Sequence, residues 1–299
     1  MGFFTRHKGR GSYDLLSGFN YFMPGFSDLA WIVILLILGA VIGSLVITAF
    51  MFTGYQYIVA KYAMLISYPI MFIPAMLYAS AKSRRDEGFE DGYTIDNNSF
   101  GTHKGYTMAF AVTVMSLAAA FVIEPISMIL PEIPEDLAKE LASLLNGPAW
   151  VTFLSVSIFA PFFEEWLCRG IVLRGLLKKV GPAWAIILSA LFFALIHMNL
   201  WQAIPAFLMG LLFGYVYYKT GSLKLVMLMH FANNTMAFIT SLATADSNAE
   251  YFKDFLSPLA YTGIYAAALA VIVSGLAMMK GIEKKEGNLG GCRKIPRIF

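Results

Sequence analysis

Three apolar stretches of this chain carry residues that lipid does not tolerate without a reason. Glu164, Glu165 and Arg169 lie in one, His197 in a second, and His230, Asn233 and Asn234 in a third. Ionisable groups inside a membrane span are costly and therefore mark functional candidates. Glu165 and Arg169 are i,i+4 neighbours with the acid on the N-terminal side, the favourable order for an ion pair on a helix. In a low dielectric such a pair keeps both groups ionised. Glu164 points about 100° away from Glu165 around the same helix. With Arg169 paired to Glu165 it has no obvious partner on its own helix, so His197 and His230 are the groups it can meet from other spans. A glutamate and a histidine from different helices can hold and deprotonate a water. A second histidine with an asparagine one turn further on, as in His230 and Asn234, can donate hydrogen bonds to an oxyanion. The chemistry these types suggest is hydrolysis. Pro161 lies one turn before Glu164, removes a backbone N–H, and frees a carbonyl beside the site.

Other groups carry less. Cys168 is adjacent to the glutamate pair but has no base at hand and reads as inert packing. Two histidines and a glutamate are residue types that bind zinc, yet the spacing is not that of a zinc-binding helix, so no metal ligand is assigned and zinc stays open. Glu124, followed by Pro125, reads as a structural group near the membrane interface. Gly210 and Gly214 form a small-xxx-small helix-packing surface.

The elements that position these residues follow from composition and hydropathy. Of 299 residues, 58% are hydrophobic and only 14% charged, with a mean hydropathy of +0.66. An average soluble domain is roughly 25% charged. The balance excludes a disordered chain, a nucleic-acid binder and a disulfide scaffold, and it names lipid as the solvent. A span needs roughly 20 apolar residues. Eight stretches qualify: Trp31–Phe52, Tyr62–Ala81, Tyr106–Leu130, Ala149–Ile171, Pro182–Leu200, Ala203–Tyr218, Leu223–Thr240 and Pro258–Met279. The expected fold is all-α, a polytopic membrane protein of about eight transmembrane helices. Counting Lys and Arg in alternate loops puts 19 on the side of the termini and three on the other. That asymmetry predicts cytoplasmic N- and C-termini.

The expected organisation is a cytoplasmic or interfacial segment (1–30), accessory helices with an amphipathic loop (31–148), a catalytic transmembrane core (149–240), and a last helix with a basic tail (241–299). Leu137, Leu141, Leu144 and Leu145 predict a short surface helix over Pro134–Asn146. Asp86–Asn98 reads as a solvated loop without calcium-ligand spacing. By the span boundaries Glu164 and His197 differ in depth by about 10 Å at roughly 1.5 Å per residue, a gap that a bend at Pro161 can close.

The ordered motifs resemble a known family. Glu164-Glu165 through Arg169 reads EExxxR, Phe193 through His197 reads FxxxH, and His230 through Asn234 reads HxxxN. Their order and spacing on separate spans are similar to the CPBP intramembrane proteases, the CAAX-protease and bacteriocin-processing (Abi) family, over roughly Ala149–Thr240. The resemblance implies that Glu164 and His197 activate the attacking water, that His230 and Asn234 serve the oxyanion, and that Glu165 and Arg169 support them. It implies a peptide or protein substrate cut at the membrane without an acyl-enzyme, no cofactor, and a home in the bacterial plasma membrane. A catalytically silent scaffold or immunity protein of the same fold is the alternative. A proton-coupled transporter lacks the internal repeat expected of one.

Overall fold

The computed structural model describes residues 16–144, 147–244, 251–282 and 289–295. The protein is an all-α polytopic membrane protein, and seven of its helices are long and apolar enough to cross a bilayer. These are α1 (Phe26–Met51), α2 (Gln56–Asp86), α3 (Gly105–Met128), α5 (Ala149–Leu177), α7 (Leu200–Thr220), α8 (Leu223–Thr244) and α9 (Pro258–Lys280). The amphipathic surface helix α4 runs over Glu135–Leu144. The stretch expected to make an eighth span instead forms α6 (Pro182–Leu195), only 14 residues long. At 1.5 Å per residue it covers about 21 Å of a core roughly 30 Å thick. Its early end has a local cause. Ile196–Asn199 turns the chain, Met198 adopts the left-handed region at φ 57°, and the Asn199 side chain caps α7 by accepting from the Gln202 N–H at 2.9 Å. His197 therefore sits in a turn at the end of α6 rather than within a span.

Helix α5 is not a uniform α-helix. Leu154–Phe159 and Trp166–Leu173 are wound as π-helix, the wider i→i+5 form often found at functional sites. In the first stretch the Ala160 N–H bonds the Ser155 carbonyl. The next bond in that register needs an N–H at position 161, and residue 161 is proline. The Val156 carbonyl is thus left for a side chain from elsewhere.

Small residues let the helices that carry the site come close. On α7, Gly210 faces Ala190 of α6, and Gly214 faces Ile186 of the same helix. A Cβ added at Gly210 would stand 3.0 Å from the Ala190 Cβ and 3.4 Å from Arg169 Nη2. Gly210→Val is accordingly expected to lower stability by about 1–3 kcal/mol through overpacking. Thermal unfolding of the purified variant in detergent checks this, and an unchanged midpoint would contradict the packing described.

One end of the bundle is closed by polypeptide rather than solvent. The two-residue strands β1 (Gly92–Tyr93) and β2 (Lys294–Ile295) pair antiparallel there, joining the α2–α3 loop to the C-terminal segment. The expectation of a solvated loop over Asp86–Asn98 fails for its second half, where Ile95, Asp96 and Asn97 are buried. The reason is that these residues hold the start of α8. Asp96 accepts from Ser222 Oγ at 3.0 Å and the Lys224 N–H at 3.1 Å, while Asn97 Nδ2 donates to the Thr220 carbonyl at 2.9 Å. The α7–α8 corner turns at Gly221, φ 64°, where a Cβ would run into the backbone of Gly291. Burial also pushes the Cys292 thiol of this segment up from its ordinary value, which keeps it protonated and inert.

Arg174 organises the same end. It is fully buried and donates to the carbonyls of Asn20 (2.9 Å), Tyr93 (2.6 Å), Gly170 (3.0 Å) and Phe19 (3.3 Å). Leu16, Phe19, Tyr21 and Phe22 of the N-terminal segment are also buried. Arg169 and Arg174, both counted among the loop charges, are interior groups. Arg6, Lys8 and Arg10 lie outside the described residues.

Candidate active site

Side chains from α2, α5, α6, α7 and α8 converge midway along α5. The centre is Glu165, fully buried, whose Oε1 accepts from Arg169 Nη1 at 2.7 Å and meets His230 Nδ1 at 2.9 Å. The Arg169 partnership is the expected i,i+4 pair. The His230 partnership joins residues on two helices. Arg169 also donates Nη2 to the Gly210 carbonyl at 3.0 Å, and its guanidinium lies over the rings of Phe193 (4.6 Å) and Phe213 (5.4 Å). Cation–π contacts strengthen when both partners are desolvated, as these are. A buried cation with one carboxylate, one carbonyl and two aromatic faces is well compensated.

Glu164 is placed differently. Its Oε1 accepts a hydrogen bond from the Tyr68 hydroxyl of α2. Among the described residues its Oε2 has no hydrogen-bond partner, and it lies 3.9 Å from His230 Nε2. That gap is short enough for one water to touch both atoms. An ionised carboxylate such as Glu165 only accepts, so the hydrogen between it and His230 belongs to Nδ1. His230 thereby presents Nε2 toward Glu164.

His197 and Asn234 stand at the edges. Among the described residues no hydrogen bond joins His197 to Glu164. His197 Nδ1 lies 2.8 Å from the Phe193 carbonyl, which can only accept, so in the neutral ring Nε2 is the free base. The Phe193 ring packs edge-on against both His197 (5.0 Å) and His230 (5.5 Å), so one aromatic ring spaces the two imidazoles. Asn234 Nδ2 donates to the Val156 carbonyl at 2.9 Å, the acceptor that Pro161 leaves open, and Asn233 Nδ2 donates to Asn234 Oδ1 at 3.2 Å. Asn234 keeps one amide hydrogen beyond that bond.

The remaining expectations resolve simply. Cys168 is buried, and its backbone carbonyl accepts from Ser189 Oγ at 2.8 Å. Glu124 accepts from the N–H groups of Phe252 (2.9 Å) and Lys253 (3.3 Å), a structural task. Glu165 Oε1 is already shared by Arg169 and His230, and among the described residues no three His, Cys, Asp or Glu side chains group as metal ligands.

Sequence reasoning overlooked Tyr68, Phe213 and the Gly210 carbonyl. Tyr68 is one of several hydroxyl-bearing residues of α2, so no sequence signal singled it out.

Residues 146–236 match the family model of the type II CAAX prenyl endopeptidases, Rce1-like. The match covers the EExxxR, FxxxH and HxxxN motifs and supports the resemblance to the CPBP family. No curated protein and no solved structure matches the chain.

Proposed function

We propose that this integral membrane protein is a CAAX-type endopeptidase that hydrolyses a peptide bond with a water activated by Glu164. The observation that carries the reading is the pairing of Glu164 Oε2, without a hydrogen-bond partner among the described residues, with His230 Nε2 at 3.9 Å. Glu164 takes the proton of the attacking water, which adds to the scissile carbonyl carbon. His197, through Nε2, takes part in holding that water and in passing its proton to the leaving amine.

The oxyanion falls to His230 and Asn234, and the geometry sets a condition on His230. Its Nδ1 hydrogen is directed to Glu165, so Nε2 donates only when the ring is an imidazolium. The Glu165 carboxylate orients the ring through Nδ1, and Arg169 holds that carboxylate in place. Glu165 thus acts through His230, and Arg169 acts through Glu165. The N- and C-termini are assigned to the cytoplasmic face.

The substrate class implied is a prenylated peptide ending in a CAAX sequence. The test is to incubate purified protein in proteoliposomes with such a peptide and with its unprenylated counterpart. Preferential release of the C-terminal tripeptide from the prenylated form is expected, and cleavage should persist after exhaustive metal chelation because no step runs through a metal. Loss of activity on chelation, restored by added zinc, would contradict the mechanism. A lack of cleavage with either peptide would favour the scaffold alternative.

A further inference from the structure

We infer that Tyr68 of α2 is a positioning residue for the reaction, fixing the carboxylate of Glu164 so that Oε2 alone faces the water. This inference rests on the proposed role of Glu164. Four observations carry it. The Tyr68 hydroxyl donates to Glu164 Oε1 across 96 residues of sequence. Among the described residues it is the only hydrogen-bond donor to that carboxylate, because Glu164 lacks the arginine that serves Glu165. The phenol ring is held in place by Phe72 at 5.5 Å and Phe163 at 6.4 Å, and those two rings stack on each other at 4.9 Å. Phe163 is the chain neighbour of Glu164, so the aromatic cluster that holds Tyr68 also braces the helix segment bearing the carboxylate.

The physical consequence is a division of labour between the two oxygens. A carboxylate left unpartnered rotates about its terminal torsion, a broad and soft degree of freedom. Once Oε1 accepts the phenol hydrogen bond, the plane of the group is set and the lone pairs of Oε2 are directed toward the His230 side. The phenol holds the base without competing for the water, since it engages the other oxygen. Tyr68 lies outside residues 146–236, so the helix that supplies it is not part of the segment matching the family model.

The test uses Tyr68→Phe, which keeps the ring and deletes only the donor, beside Phe72→Leu, which disturbs the same packing without touching the bond. Glu164→Gln is run in the same prenylated-peptide assay. For Tyr68→Phe, kcat is expected to fall about 10–100-fold with KM and the unfolding midpoint nearly unchanged, the size typical of losing a group that orients a reacting one. Phe72→Leu, which loosens the packing around the phenol but keeps the donor, should lower kcat less than Tyr68→Phe does. An infrared carboxylate band that disappears in Glu164→Gln should shift in Tyr68→Phe. A wild-type kcat in Tyr68→Phe, with Glu164→Gln inactive, overturns the positioning role alone. Full activity in Glu164→Gln overturns the reading on which it rests. If the wild-type protein leaves the peptide intact, an unshifted band in Tyr68→Phe still overturns the inference.

Discussion

Arg169→Ala is expected to be the most damaging single substitution to the fold, lowering stability by about 3–5 kcal/mol and with it the yield of folded protein. The cost comes mainly from what stays behind. Glu165 is fully buried, and Arg169 is its only cation on the same helix. Without the guanidinium its charge is uncompensated, the Gly210 carbonyl loses a donor, and the rings of Phe193 and Phe213 face a cavity. Removing both charges together, as Glu165→Leu with Arg169→Met, should recover much of the stability because no unpaired charge remains. The double variant should still be inactive, since His230 Nδ1 has lost its acceptor. Thermal unfolding and cleavage measured on the single and double variants separate these contributions. A double variant no more stable than Arg169→Ala would show that the pair is not what holds this part of the bundle.

The local part of this site was legible in the sequence and the tertiary part was not. Glu165 and Arg169 could be paired from their spacing because one helical turn fixes the distance. Pro161 correctly pointed to a freed carbonyl, but the identity of its new partner, Asn234, depends on how α8 lies against α5. The same packing decided that His230 meets Glu165, 65 residues away. Tyr68 carried no spacing signal at all. One of four tyrosines in a helix of 31 residues, it becomes informative only once α2 is known to pack on α5.

The length of the fifth expected span was overread for a related reason. Apolar composition runs through Leu200, so hydropathy merges α6 with the turn after it. The Asn199 and Gln202 spacing of a helix start was present in the sequence and places the break where the structure has it. The half-buried Asp86–Asn98 loop shows the opposite error. Asp96 looks like a solvated acid by composition, yet it is a buried acceptor for the first turn of α8.

The second large effect is on chemistry. Glu164→Gln should reduce turnover by about 10²–10⁴-fold, the range for loss of a positioned general base. The amide still accepts from Tyr68 and occupies the same volume, so the helix packing around it has no cause to change. Unlike Glu165, Glu164 has no arginine or lysine partner among the described residues, and its contact with His230 Nε2 is a long one at 3.9 Å. An inactive but normally folded protein is the specific expectation, and it distinguishes a reacting carboxylate from a structural one.

The most direct measurement of the central claim is mass spectrometry of a prenylated CAAX peptide after incubation with equal amounts of folded wild-type and Glu164→Gln protein in proteoliposomes. The account predicts a truncated prenyl-peptide and a released tripeptide with the wild type, and intact substrate with the variant. Equal cleavage by both proteins would contradict it.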